Sequence, residues 1–316
     1  MIVALAGGVG GAKLADGLAA VIGDDLAVVV NTGDDFEHFG LTVSPDLDTM
    51  MYTLAGIANP ETGWGISGES WNFLDQAARL GAPTWFRIGD RDLATHVLRS
   101  ERLRRGERLT SITADLCQRL GIKVQILPMS DAPVRTIVQT PEGPLAFQEY
   151  FVARRCEVAV TGFVFAGVER ARPTEEVRTA LQHAALAAIV ICPSNPFVSI
   201  DPILAVPELK DLLRARKVPV VAVSPIIDGA AVKGPAAKMM RELGKPVLVT
   251  TIAAHYRNLA DGIVIDAADA RLAAQIETGG MAVRVAPTLM RSPTDRRDLA
   301  LTCLDFARDI ASRAAQ

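Results

Sequence analysis

MIVALAGGVGGAKLADGLAAVIGDDLAVVVNTGDD, residues 1–35, decides the fold class. Met1 to Ala6 reads as a buried strand and Gly7-Gly8-Val9-Gly10-Gly11 as a tight turn. A helix follows from about Ala12 to Ile22, and Leu26 to Val30 reads as a second buried strand. Strand, glycine turn, helix and strand within about 30 residues form a βαβ unit, which implies a parallel sheet. Both strands are continuous apolar runs rather than alternating ones. That pattern suits strands covered on both faces.

Working outward, Val124 to Leu127, Val158 to Val160, Ala188 to Cys192, Pro219 to Val223, Pro246 to Val249 and Gly262 to Ile265 also read as core strands. Helical patterns at Thr174 to Ala187 and Glu208 to Lys217 separate several of them. Between Val134 and Val152 the pattern changes to a β-hairpin, with Thr136 to Thr140 and Leu145 to Tyr150 flanking a Pro-Glu-Gly-Pro turn. The stretch from about Pro45 to Leu120 looks mostly helical and contains Trp64, Trp71 and Trp85. The expected fold is one α/β domain over residues 1–316: a Rossmann-like, doubly wound, mainly parallel sheet with a small β-hairpin element. Its sheet core would use residues 1–44 and about 121–316, with a helical insertion of about 45–120 after the second strand.

Composition excludes several classes. The net charge is −3, and no Lys/Arg cluster interleaved with aromatics offers a nucleic-acid surface. The dense basic run Arg99 to Arg108 reads as a solvated helix end, or alternatively as a face that attracts anions. Cys117, Cys156, Cys192 and Cys303 lack zinc spacing and read as reduced, buried small hydrophobes. No apolar run approaches the roughly 20 residues of a membrane span. The chain opens straight into a strand, so no membrane partner and a cytoplasmic location are expected.

The glycine turn lets backbone N–H groups approach a phosphate, and the following helix adds its partial positive charge. A merely tight strand-to-helix turn is the plain alternative. The turn lacks the GxxxxGK[ST] pattern of a Walker motif. It also lacks the strict GxGxxG with an acid closing the second strand, since Asn31 stands near that position. Kinase and NAD enzyme are therefore both disfavoured. Asp34 and Asp35 leave the second strand, and Asp46 and Asp48 follow in Ser-Pro-Asp-Leu-Asp-Thr. Such carboxylates suit a hard cation such as Mg²⁺, and Asp46 and Asp48 equally suit a helix cap. Gly89 to His96 (GDRDLATH) places Arg91, which could grip an oxygen-rich ligand, four residues after Arg87 and five before His96. Asp92 there could equally be a helix cap and His96 an exposed helix residue, and a lone His38 is more often structural. Ser194 and Asn195 sit in a proline-bracketed turn after another strand. Ser224 to Gly229 and Val232 to Pro235 again follow a strand. Four such loops past strand C-termini point to one site.

In this order, these segments resemble the 2-phospho-L-lactate transferase family (CofD-like, FbiA-like) of coenzyme F-420 biosynthesis. The resemblance spans essentially the whole chain and rests on GGVGGAKL at 7–14, NTGDD at 31–35 and HFGLTVSPDLDTMMYTLAG at 38–56. GDRDLATH at 89–96, ILPMSDAPVRT at 126–136, FQEY at 147–150, PSNPFVSIDPILAVP at 193–207 and SPIIDGAAVKGPAAKMM at 224–240 complete it. It implies transfer of a phosphorylated three-carbon acid from a guanosine-diphosphate donor to the ribityl hydroxyl of the deazaflavin Fo, with Mg²⁺ as cofactor and GMP released. The small-molecule partners would be that guanylated acid and Fo, and similar proteins suggest a homodimer. The resemblance assigns donor phosphates to Gly7, Gly8, Val9, Gly10, Gly11 and Lys13. Ser194 and Asn195 are expected near the guanine. Asp48 and Asp46 are the expected catalytic acids, with Asp48, Asp34 and Asp35 as metal ligands. Asp48, Arg91 or its rival Arg87, and His96 are expected on the deazaflavin side, which the helical insertion would form.

Overall fold

The structure, a computed structural model, describes residues 1–314. Seven strands form the central sheet: β1 (Ile2–Ala6), β2 (Leu26–Val30), β3 (Gln125–Pro128), β4 (Ala188–Ile191), β5 (Val220–Val223), β6 (Gly262–Ile265) and β7 (Ala282–Val285). Their order is β7-β6-β5-β4-β1-β2-β3, and every neighbouring pair is parallel. The chain winds outward from β1 in one direction through β2 and β3, then returns to β4 and winds the other way. The expected doubly wound α/β fold is the one observed.

The continuous apolar runs have the expected cause. Val3, Leu5, Val29, Ile189 and Ile263 pack into a core on one face of the sheet. Ala4, Ala6, Val28, Val190 and Val264 pack into a second core on the other. Helix α1 (Gly8–Ile22) crosses between β1 and β2 and lies against the helix Pro293–Ala314. Gly17 allows that approach, because a Cβ there would lie 2.1 Å from the Arg296 carbonyl oxygen.

Between β2 and β3 the chain makes a short antiparallel hairpin, Phe36–His38 with Leu41–Val43. Then come α2 (Pro45–Leu54), α3 (Asn72–Arg79), α4 (Asp90–Arg104) and α5 (Leu109–Arg119). Residues 55–71 between α2 and α3 are largely irregular, pinned by a bridge between Ala58 and Ile66.

Three strand expectations differ from the structure. The second arm of the later hairpin ends at Ala146, and Glu149–Ala153 turn helical instead. Val158 to Val160 is a connection. The neighbouring Gly162–Ala166 is the strand, pairing antiparallel with Arg135–Thr140 in a separate three-stranded sheet. Pro246 to Val249 is no strand either, since Val249 opens the helix Val249–Tyr256. Short apolar runs bear the same signature in a buried strand and a buried helix turn, and periodicity cannot separate them. Among the described residues no helix is long and apolar enough to cross a membrane. All four cysteines are unpaired, and only Cys156 is not fully buried.

Candidate functional site

The winding direction reverses between β1 and β4, and the loops leaving these two strands meet at their carboxyl ends. Gly10 and Gly11 permit the contact. A Cβ on Gly10 would lie 2.4 Å from the Pro193 carbonyl oxygen, and one on Gly11 would lie 2.6 Å from Ser194 Oγ. Ser194 staples the two loops: its hydroxyl accepts from the Gly7 N–H at 3.1 Å and donates to the Gly7 carbonyl at 2.8 Å. Above this junction lies a cavity of about 530 Å³. The helical insertion, the 147–152 segment, the Val232–Pro235 segment, Thr288 and Met290 line its other walls.

The α1 N-terminus faces this cavity through Gly7, Gly8, Val9 and Gly10. Gly8 has a φ of +63°, which lets the chain turn sharply into the helix. Its N–H already donates to Asp46 Oδ1 at 2.7 Å. The N–H groups of Val9 and Gly10 lie in the first turn of α1, where no intrahelical acceptor is available, and suit an anion. Asp46 therefore caps α1 although it lies in the first turn of α2. Its other oxygen accepts from Asn31 Nδ2 at 2.9 Å. Asn31 is wholly buried, and its Oδ1 accepts from the Gly33 N–H at 2.8 Å. An acid at position 31 would face Asp46 without a donor, which explains why the position normally given to a ribose-binding acid holds an amide here. Burial pushes Asp46 up to about 6, against the hydrogen bonds from Asn31 and Gly8. Asp34 lines the cavity, and burial followed by the charge of Asp46 raises its pKa well above the usual carboxylate range. One Asp34 oxygen is buried without a partner.

A second cluster faces the same cavity from the insertion. Helix α2 presents Asp48 and Tyr52 one turn apart, and α4 presents Asp92, His96 and Arg99 along one stripe. Both Asp48 oxygens are held by Arg99: Nη1 donates to Oδ2 at 3.1 Å and Nη2 to Oδ1. His96 reaches Asp48 through Nδ1 at 3.6 Å and Asp92 through Nε2 at 3.3 Å. Tyr52 donates its hydroxyl to Asp92 at 2.6 Å. Arg99 is 1% exposed and Asp48 5%. Burial opposes the charge of Arg99, but Asp48 outweighs it and its pKa is raised. Burial likewise pushes Asp92 up, yet His96, Tyr52 and Arg99 overcome that and leave it lowered. Asp48, Asp92 and His96 bring three ligand atoms within 4.8 Å of one another.

Of the residues singled out in the sequence, Gly7, Gly8, Val9, Gly10, Lys13, Asp34, Asp46, Asp48, Arg87, His96, Ser194 and Asn195 line this cavity. Three do not. Gly11 packs against Ala6 and Ser194. Asp35 is buried behind it, accepting from Ser44 Oγ at 2.8 Å. Arg91 points away, with its guanidinium on the Ser67 carbonyl at 2.9 Å. Arg87 lies on the cavity wall, its guanidinium 4.0 Å from the Trp71 ring centre. Ser194 and Asn195 line the cavity with side chains engaged in the chain itself. The amide oxygen of Asn195 accepts from the Phe197 N–H at 3.0 Å, and its nitrogen contacts Met239 Sδ. His38 joins an aromatic group with Phe36, Phe39, Trp85 and Phe86, and the last two reach the cavity.

Arg99 was hidden in the sequence by its neighbours. Most of the run 99–108 does form surface ion pairs, as Arg102, Arg105 and Arg108 show. Only the helical register of Asp92, His96 and Arg99 marks the first member as different. Their spacings of four and three residues put them on one face.

Comparison with known proteins shows the family. Residues 2–290 match the family model of the 2-phospho-L-lactate transferase CofD. A phosphoenolpyruvate transferase of Kitasatospora aureofaciens is 41% identical, aligned over 98% of this chain and 98% of that protein. A 2-phospho-L-lactate transferase of Methanosarcina mazei is 38% identical over 95% of this chain and 98% of that one. In fold alone, the chain is similar to a UPF0052 family protein of Bacillus halodurans. That crystal structure has a TM-score of 0.62 at 13% identity and covers 96% of this chain and 99% of its own.

Proposed function

Because this chain belongs to the 2-phospho-L-lactate transferase CofD family and is an enzyme of that type, we propose that it moves a phosphorylated three-carbon acid from a guanosine-diphosphate-linked donor to the ribityl hydroxyl of Fo. The product is a coenzyme F-420 precursor, and GMP leaves. We place phosphoenolpyruvate first as the acid, since several relatives carry that name, including the one from Kitasatospora aureofaciens.

One observation carries the reading. A single cavity joins an open helix N-terminus on one side to buried carboxylates and aromatic rings on the other. Transfer requires both ends. The acceptor oxygen attacks the phosphorus bearing the acid, and the bridging P–O bond to GMP breaks. The hydroxyl proton passes to a base or to water. Negative charge develops on the departing GMP phosphate, where the Val9 and Gly10 N–H groups and the α1 dipole can offset it.

Asp48 is the proposed orienting group for the acceptor hydroxyl. Arg99 clamps both of its oxygens, so it acts as a fixed anion rather than a mobile one. Arg87, above Trp71, and His96 complete the acceptor wall. Phe86 and Trp85 offer flat apolar surface for a ring system.

The donor set fits a hard cation such as Mg²⁺. Asp48 and Asp92 contribute carboxylate oxygens beside each other, and Asp34 keeps a buried oxygen without a partner. When bound, Mg²⁺ would supply positive charge to the donor phosphates. Asp48 is the proposed ligand, with Asp92 beside it, whereas Asp34, expected as a further ligand, lies by Asp46 and outside this cluster. Asp35 is not a ligand either, because it does not reach the cavity.

Asp48→Asn tests this assignment better than Asp48→Ala: both remove the counter-charge of Arg99, but Asn keeps the side-chain shape and one acceptor oxygen for the guanidinium. The Asn variant should remain folded and lose transfer by at least about a hundredfold. Near-wild-type turnover would remove Asp48 from the mechanism.

A further inference from the structure

Three cations line the cavity: Lys13, Arg87 and Lys233. Arg87 sits over Trp71 on the insertion side. The two lysines stand beside the glycine turn, and among the described residues neither forms an ion pair. Each ammonium has one acceptor, a backbone carbonyl. Lys13 donates to Met290 at 2.9 Å and Lys233 to Thr62 at 2.7 Å. An ammonium has three donors, so each retains two. Burial lowers the pKa of both, and the charge of Arg296 followed by that of Lys233 adds to the effect on Lys13. Two cations held near each other without a counter-ion are poised for an anionic ligand.

The position of Lys233 specifies which anion. It reaches across the cavity from the loop after β5 to the irregular segment between α2 and α3. A Cβ added to Gly63 would lie 2.6 Å from Lys233 Nζ and 3.3 Å from Val9 Cγ1. The ammonium and the Val9 side chain therefore both abut Gly63, and Val9 lies in the first turn of α1.

We infer that Lys233 is a phosphate-binding residue that joins the α1 N-terminus in holding the donor diphosphate. The inference rests on the nucleotide-donor reading above. A phosphate oxygen is a charge-assisted partner and outcompetes the neutral Thr62 carbonyl. Binding thus draws the ammonium off the 59–66 segment and onto the ligand.

Calorimetric titration of GDP with Mg²⁺ into the full chain tests it, across a series of salt concentrations. Lys233→Met keeps the side-chain stem, and Lys233→Gln serves as a second neutral variant. Both should bind GDP about tenfold to a hundredfold more weakly than wild type. Their affinity should also fall less steeply with salt, because one ion contact is gone, and Lys233→Arg should restore most of both. Unchanged affinity in the neutral variants would overturn the contact. So would weaker binding with an unchanged salt slope, which marks Lys233 as a clamp on the 59–66 segment only. Absence of GDP binding by the wild type is a separate result, and it would overturn the donor reading itself.

Discussion

Replacing Arg99 with methionine should be among the most damaging single changes in the protein. The guanidinium is 1% exposed and holds both oxygens of Asp48, itself 5% exposed. Methionine fills much of the volume, so packing is largely kept. What remains is a buried carboxylate facing Asp92 and His96 without its cation. Removing one partner of a buried pair typically costs about 3–5 kcal/mol. A whole domain is stable by only about 5–15 kcal/mol, so the loss is a large share. Urea denaturation near neutral pH, followed by circular dichroism, would read it directly. The double variant Arg99→Met/Asp48→Leu removes both charges and should recover most of the stability while remaining inactive. Arg99→Lys should fall between wild type and Met, since one ammonium cannot match both carboxylate oxygens. A loss below about 1 kcal/mol in Arg99→Met would refute the reasoning, because that is the scale of a solvated surface pair. A double variant no more stable than the single would refute it equally.

Three further outcomes follow from the same geometry. Burial pushes Asp35 up to about 7 against the opposing charge of Arg135. Its folded value lies above its unfolded one, so its contribution to stability is complete below about pH 4 and is lost as pH rises through about 7. Denaturation midpoints at about pH 5 and about pH 8 should therefore differ less in Asp35→Asn than in wild type. Gly10→Ala should destabilise the chain by about 1–3 kcal/mol. Helix propensity favours Ala by only about 1 kcal/mol, whereas its Cβ would lie 2.4 Å from a backbone oxygen; a raised melting temperature would contradict the loop contact. Arg87→Ala should weaken Fo binding about tenfold or more in a fluorescence titration. Arg91→Ala should leave it near wild type, and the reverse order would move the acceptor wall to the Arg91 side.

The central sheet was legible because its strands are covered on both faces. Leu26–Val30 and Ala188–Ile191 are uninterrupted apolar runs that no surface strand would tolerate. The edge strand Ala282–Val285 was not legible, since it is only half-buried and carries Arg284. The glycine turn was readable as a close approach, but its partner was not. Gly10 answers to a carbonyl at residue 193 and Gly8 to a carboxylate at residue 46, contacts that exist only after folding. Asp46 and Asp48 looked interchangeable two residues apart. The helix turns them to opposite partners, Gly8 with Asn31 for one and Arg99 for the other. The choice between Arg87 and Arg91 likewise depended on where the chain enters α4.

The transfer reaction is tested most directly by incubating the protein with Fo, Mg²⁺ and each guanylated three-carbon acid, then weighing the products. Fo should gain the mass of the phosphorylated acid while GMP appears in equal amount, fastest with the phosphoenolpyruvate donor. Intact Fo with every donor would contradict the proposed function, as would GMP released without any adduct on Fo.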